Sequence, residues 1–274
     1  MTDRTTLVRQ QYDGSGLIDR IKKALAAVAP EDQTLTVAQL APLDQFHIRG
    51  LQATAELASA AGVKPSTHVL DIGCGVGGPS RYLVTTFGCQ VTGVDLSPGF
   101  IDAAVYLSGR CGLSERVTFR VGDALHLPLA DDAFDTVFLQ HVAMNIEDRA
   151  GLYAEIRRVL RPAGRFATYD LVRRDGDVVY PVPWAREASA SFLLSEAETR
   201  AALERAGFEV LVWRDDTSLG LDWFQKLAAG PPPSDPNLGV IIGPDFPVIS
   251  GNLARNLRES RLGLLAAVVT RAAP

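Results

Sequence analysis

The chain has 274 residues, 47% of them hydrophobic and 22% charged, the balance of a globular protein with an ample core. Lys and Arg number 27 against 32 Asp and Glu, for a net charge of -5, which argues against electrostatic capture of nucleic acid or of an anionic membrane. Cys74, Cys89 and Cys111 lack any paired spacing; this argues against a disulfide framework or structural zinc and predicts a reducing, cytoplasmic setting.

Met1 to Gln11 is polar and shows no apolar signal core. Leu7 to Tyr12 opens one candidate helix. Leu17, Ile18, Ile21, Leu25 and Val28 recur at helical spacing, and Pro30 ends that run. Leu40 to His47 lies just ahead of the first core strand and can fold over a ligand as a cap, with Tyr12 and His47 as the polar side chains most able to face it. The expected organisation is a helical cap over residues 1–50 and a core over 51–274, with insertions near 173–194 and 228–250, all in one structural unit.

Leu51 to Ala61 is an Ala-rich helix former closed by Gly62. From His68 to Ser80 the chain reads as a buried strand, a glycine-rich turn and a helix start. The strand ends at Asp71, and Gly73, Gly75, Gly77 and Gly78 follow. A turn that bends sharply and lets a ligand touch the backbone needs residues without Cβ, and the next helix aims its N-terminus at whatever sits there. The spacing fits both the dinucleotide fingerprint G-x-G-x-x-G and an acid followed by G-x-G-x-G. Cys74, inside the turn, reads as a small apolar filler.

Cys89 to Asp95 is the next strand, and Asp95 at its carboxyl end stands 22 residues beyond Gly73. A carboxylate there can accept both hydroxyls of a ribose, and Leu96 can lie on an adenine face. Ser97-Pro98 caps a helix to about Cys111. Val117 to Val121 is a strand that leads into Gly122-Asp123-Ala124, where an acid can accept an exocyclic amine; His126 reads as a surface residue. Phe134 to His141 is the fourth strand, with Gln140, His141 and Asn145 at or beyond its carboxyl end. Asp148 to Leu160 is an amphipathic helix whose arginines, Arg157, Arg158 and Arg161, read as a solvated, dipole-complementing face. Phe166 to Val172 is the fifth strand.

Four segments now stand in order: Val69 to Gly77, Gly122 to Ala124, Phe134 to Val137, and Arg161-Pro162-Ala163-Gly164 between helix and strand. Together, from Val69 to Val172, they resemble the class I S-adenosylmethionine-dependent methyltransferases. The resemblance implies an α/β fold: a Rossmann-like, doubly wound, seven-stranded sheet, mostly parallel with an antiparallel last strand, helices on both faces, and the helical cap. It implies S-adenosyl-L-methionine as cofactor, held by Asp71, Gly73, Gly75, Gly77, Asp95, Leu96, Asp123, Ala124 and Gln140. His141 is then the candidate base or acceptor-binding group, and Tyr12, His47, Asn145 and Trp184 the candidate acceptor contacts. No metal is implied, since the four histidines show no ligand spacing. Asn145-Ile146 departs from the Asn-Pro-Pro-aromatic signature of DNA amino-methylating enzymes; the expected partner is a small-molecule acceptor, with neither nucleic acid nor membrane insertion.

The outer segments, Leu43 to His47, Gln140 to Asn145, Pro181 to Ala185 and Ser191 to Leu193, are similar to bacterial sarcosine/dimethylglycine methyltransferases and to ubiquinone/menaquinone methyltransferases. They suggest an amine such as sarcosine or dimethylglycine. C- or O-methylation of a quinone-like or natural-product acceptor is the alternative, and an NAD-dependent oxidoreductase is the reading from another class. Beyond the fifth strand, Trp184 lies in a Pro-bounded insertion between strand and helix. Ser195 starts a helix with acids in its first turn, Glu209 to Trp213 is the sixth strand, and Leu219 to Leu227 is a helix. Pro231 to Pro247 is expected to be a long loop or lid, Asn252 to Arg258 a helix, and Leu262 to Arg271 the last strand, too short an apolar run to cross a bilayer.

Overall fold

The computed structural model describes residues 16–230 and 236–272; the Leu7–Tyr12 helix start lies outside them. The first elements are α1 (Leu17–Ala26), α2 (Val37–Asp44) and α3 (Gly50–Ala60). A sheet in the order β3-β2-β1-β4-β5-β7-β6 follows. Its strands are β1 (His68–Ile72), β2 (Gln90–Asp95), β3 (Val117–Val121), β4 (Phe134–Gln140), β5 (Leu160–Arg173), β6 (Phe208–Asp215) and β7 (Leu262–Arg271). Between them run α4 (Gly78–Phe87), α5 (Pro98–Arg110), α6 (Arg149–Val159), α7 (Glu196–Arg205), α8 (Thr217–Ala229), the single turn α9 (Gly239–Ile242) and α10 (Phe246–Arg258).

β1 pairs in parallel with β2 on one side and β4 on the other. The chain therefore winds outward through β2 and β3, then restarts at β4 across β1. That reversal opens a crevice at the carboxyl ends of β1 and β4, where open α/β sheets hold ligands. Only β7 runs against its neighbours, antiparallel to both β5 and β6.

Alternation along the strands sends side chains to two cores. Val69 and Phe138 pack with Leu57, Leu83 and Leu257 from α3, α4 and α10 on one face. Leu70, Val137 and Leu139 pack with Leu152, Ile156 and Leu203 from α6 and α7 on the other. A third cluster joins Leu17, Ile21, Leu40 and Leu43 of α1 and α2 to Phe100, Ala103 and Leu107 of α5, with Val76 of the glycine turn and Ile241 of α9. Thr36 and Gln39 form a reciprocal capping box at the start of α2. The N-terminal helices thus close over the helices that flank the crevice.

Two boundaries differ from the sequence expectation, as does one set of side chains. β5 begins at Leu160, not near Phe166, because Leu160 already pairs with Phe134 before a register irregularity. α10 begins at Phe246, so helix replaces loop through Pro247; proline is tolerated there because the first turn has no use for its missing N–H. Two of the arginines expected as a solvated face are paired: Arg158 of α6 holds Glu155 and Asp131, and Arg161, which falls in β5, holds Asp135.

Candidate active site

The glycine turn is built by backbone constraint. Gly73, Gly75 and Gly77 all have positive φ, a region that side chains with Cβ enter at a cost of roughly 1–2 kcal/mol. A Cβ on Gly73 would lie 2.3 Å from Val142 Cγ2, and one on Gly77 would lie 2.6 Å from Phe119 Cζ. The turn is tied to β2: the Gly73 and Cys74 amides donate to the Val94 carbonyl at 2.7 and 3.2 Å. At the tip of β2, Asp95 Oδ2 accepts from Gly75 N–H and Oδ1 from Ser97 N–H, each at 2.9 Å. Each oxygen keeps a second lone pair, so the half-buried carboxylate can still accept two hydroxyls.

A cavity of about 470 Å³ runs from this turn across the crevice. One end is lined by Asp71, Gly73, Gly75, Asp95, Leu96, Asp123, Ala124 and Leu125. Asp123 Oδ1 accepts from Leu125 N–H at 2.9 Å, and the rest of its carboxylate can take an amine. His126 is exposed. Asp71 is buried and accepts a 2.6 Å hydrogen bond from Ser80 Oγ. Burial pushes its carboxyl up to about 7, against the pull of Ser80. Burial likewise raises Asp95, while the amides of Ser97 and Gly75 hold it down.

The other end is apolar. Met144, Trp184, Phe192, Ile241, Ile242 and Ile249 wall it, drawn from the segment after β4, the insertion after β5, and α9 and α10. Trp184 is buried and donates from Nε1 to Ser191 Oγ at 2.8 Å. Asn145 also lines this end, its amide donating to the Val142 carbonyl at 3.1 Å. Among the described lining residues Arg186 is the one cation, and it is paired with Asp245 at 2.9 Å.

Between the two ends stand Gln140, His141 and His47. His141 has φ 55. It is held in that left-handed conformation by its N–H to the Tyr169 carbonyl at 2.8 Å and by stacking on the Tyr169 ring, 5.7 Å away and 10° from parallel. Burial, aided by His47, keeps its imidazole neutral, well below the usual histidine range. His47 Nε2 lies 2.8 Å from the Gly50 carbonyl and 3.0 Å from Thr54 Oγ1, and Gln140 Nε2 donates to that same Thr54 oxygen at 3.2 Å. Burial pushes His47 down to about 4.

The structure therefore brings to one cavity Asp71, Gly73, Gly75, Asp95, Leu96, Asp123, Ala124, Gln140, His141, His47, Asn145 and Trp184. Gly77 is the residue that caps the start of α4, and Tyr12 is outside the described residues. Sequence reasoning missed Thr54 and Tyr169. Thr54 carried a signal, since it stands with Ala53, Leu57 and Ala58 on the buried stripe of α3, where a polar residue needs a partner.

The site residues fit an adenosyl thioether. The turn leaves no room for Cβ at Gly73, a half-buried carboxylate stands at the ribose distance along the chain, and a second acid faces the next strand's end.

Residues 70–168 match the family described as a methyltransferase domain. Sterol 24-C-methyltransferase of Saccharomyces cerevisiae is 32% identical over 182 residues, covering 62% of this chain and 47% of that enzyme. Methyltransferase GfsG of Streptomyces halstedii is 34% identical over 177 residues, covering 63% and 64% of the two chains. Among solved structures, geranyl diphosphate C-methyltransferase from Streptomyces coelicolor A3(2), in complex with Mg2+, geranyl diphosphate and S-adenosyl-L-homocysteine, superposes with TM-score 0.66 at 21% identity, covering 81% of this chain and 79% of that one. The chain spans about half the length of most curated relatives it matches.

Proposed function

We propose that this chain, which carries a class I S-adenosylmethionine-dependent methyltransferase domain, transfers a methyl group to a neutral, apolar small molecule, at carbon or oxygen. One observation carries the reading: a single cavity joins the glycine turn and its two acids to a wall of Met144, Trp184, Phe192, Ile241 and Ile249. The relatives named for sterol C-methylation support the same class. An amine such as sarcosine or dimethylglycine is disfavoured. Relatives carry names of sterol C-methylation, and the acceptor end of the cavity is walled by apolar side chains.

When bound, the cofactor supplies an electrophilic methyl carbon on a positively charged sulfur. The protein's task is then alignment and exclusion of water, which together can lower a barrier by roughly 7–11 kcal/mol. Asp95 would hold the ribose, Asp123 the adenine amine, and Leu96 and Ala124 the adenine faces. Gln140, pinned by Thr54, and His141, pinned by Tyr169, would flank the reacting carbon. The apolar wall would press the acceptor toward it.

The test is calorimetric titration with S-adenosylhomocysteine, followed by methyl transfer from labelled S-adenosylmethionine to a sterol, a macrolactone, a phenol and dimethylglycine. Transfer is expected to neutral apolar members. Transfer to dimethylglycine alone would return the amine reading.

A further inference from the structure

Two histidines face the chamber, and their surroundings differ in kind. His141 Nε2 is buried without a hydrogen-bond partner among the described residues, and one ring face is covered by Tyr169. No hydrogen bond from a described residue orients its Nε2. His47 is oriented. The Gly50 carbonyl, 2.8 Å from His47 Nε2, can only accept, so Nε2 carries the proton. Burial keeps the ring neutral down to about pH 4, so that proton is the ring's only one at neutral pH. Nδ1 is therefore left with a lone pair.

The ring cannot easily turn to spend that lone pair elsewhere. It stands edge-on to His141 at 6.1 Å and to Tyr169 at 6.2 Å. Thr54 Oγ1 lies 3.0 Å from Nε2 and also accepts from Gln140. Nδ1 itself has no hydrogen-bond partner among the described residues, although the ring lines the cavity. A nitrogen acceptor held in one tautomer by a third group is the arrangement that proton-accepting sites require.

We propose that His47 Nδ1 accepts the hydrogen of a hydroxyl on the methyl acceptor, and that His141 is wall rather than base. The substrate class is thereby narrowed, within the methyltransferase reading on which this rests, to apolar molecules bearing a hydroxyl. In the transfer the hydroxyl oxygen gains the methyl carbon as the carbon–sulfur bond breaks, and sulfur leaves as a neutral thioether. The hydroxyl proton passes to Nδ1 and on to water. His47 is too weak a base to ionise a neutral alcohol beforehand, so the proton moves late, once the oxygen has begun to carry positive charge.

Two measurements test this. Two-bond 15N–1H spectra of histidine-labelled protein report which nitrogen of His47 is protonated. Protonation at Nε2 is expected, and protonation at Nδ1 overturns the proposal. Second, binding of 2-naphthol and 2-methoxynaphthalene is measured in the presence of S-adenosylhomocysteine. The wild type is expected to prefer 2-naphthol at least tenfold. His47→Phe is expected to lose that preference while keeping affinity for the methoxy compound. His141→Asn, chosen because asparagine tolerates the left-handed backbone there, is expected to keep the preference. Equal binding of the two compounds by the wild type, including none, overturns the proposal, as does a preference that survives His47→Phe or vanishes in His141→Asn. Failure of S-adenosylhomocysteine itself to bind would instead strike the methyltransferase reading.

Discussion

Asp44 Oδ2 accepts a 2.8 Å hydrogen bond from Arg81 Nη2, and both side chains are fully screened from water. The pair ties α2, in the N-terminal helices, to α4, the helix that starts at the glycine turn. Gln45 donates to the second Asp44 oxygen at 2.9 Å, and Arg81 Nη1 reaches Ser108 Oγ on α5 at 3.2 Å. Burial raises the Asp44 carboxyl while Arg81 holds it down. Gly78 makes the approach possible, since a Cβ there would lie 2.2 Å from the Asp44 carbonyl oxygen.

Removing one member of a buried pair strands the other, which typically costs about 3–5 kcal/mol. Arg81→Leu is expected to lose that much in urea denaturation and to weaken S-adenosylhomocysteine binding, because the turn loses its backing. The double variant Asp44→Asn/Arg81→Leu should lose clearly less than the sum of the single changes. Strict additivity would show that the pair is not coupled.

Asp95→Ala removes the acceptor at the tip of β2. Charge-assisted hydrogen bonds contribute about 1.5–3 kcal/mol each, so S-adenosylhomocysteine affinity should fall at least tenfold by calorimetry. Unchanged affinity would remove Asp95 from the ribose position.

Gly73→Ala meets two separate penalties: a positive φ and the Val142 methyl 2.3 Å from the new carbon. Thermal unfolding should show a loss of Tm that Val142→Ala recovers only in part, since truncation relieves the clash but leaves the backbone strain of roughly 1–2 kcal/mol. Full recovery would show that φ carries no cost at this position.

Asp71 makes stability depend on pH. Its folded carboxyl is raised from 3.8 to about 7, chiefly by burial. The native state therefore holds this proton more tightly than the unfolded chain. Its contribution to stability is complete below about pH 4 and is lost as pH climbs through 7. Asp71→Asn, which keeps an acceptor for Ser80, should match the wild type near pH 4 and exceed it by a few kcal/mol near pH 8. Denaturation curves that stay parallel across that range would contradict the buried, proton-holding carboxyl.

Much of the glycine-turn end of the cavity was legible in the chain because it is local. A strand, its glycines and the acid at the next strand's tip sit within Val69 to Asp95, and each follows from backbone sterics or strand-end position. The helix starts at Ser97 and Ser195 were equally readable, and their hydroxyls accept from Phe100 and Glu198 N–H. Boundaries failed where pairing overrode local preference, as at Leu160, or where proline fell in a first turn, as at Pro247.

The amino-acid order alone determined the strands, the turn and the acids that line it, since these depend on periodicity and on residues a few positions apart; the winding of the sheet came from the resemblance. Only the tertiary structure decided which histidine has a fixed tautomer, that Thr54 joins His47 to Gln140, and that Ile241 and Ile249 meet Trp184 across one chamber. The Thr54–Gln140 and Trp184–Ile241 relations join segments tens of residues apart while the His47–Gly50 contact spans a short turn, and a hydrogen bond's direction or a cavity's wall exists only once the chain has closed on itself.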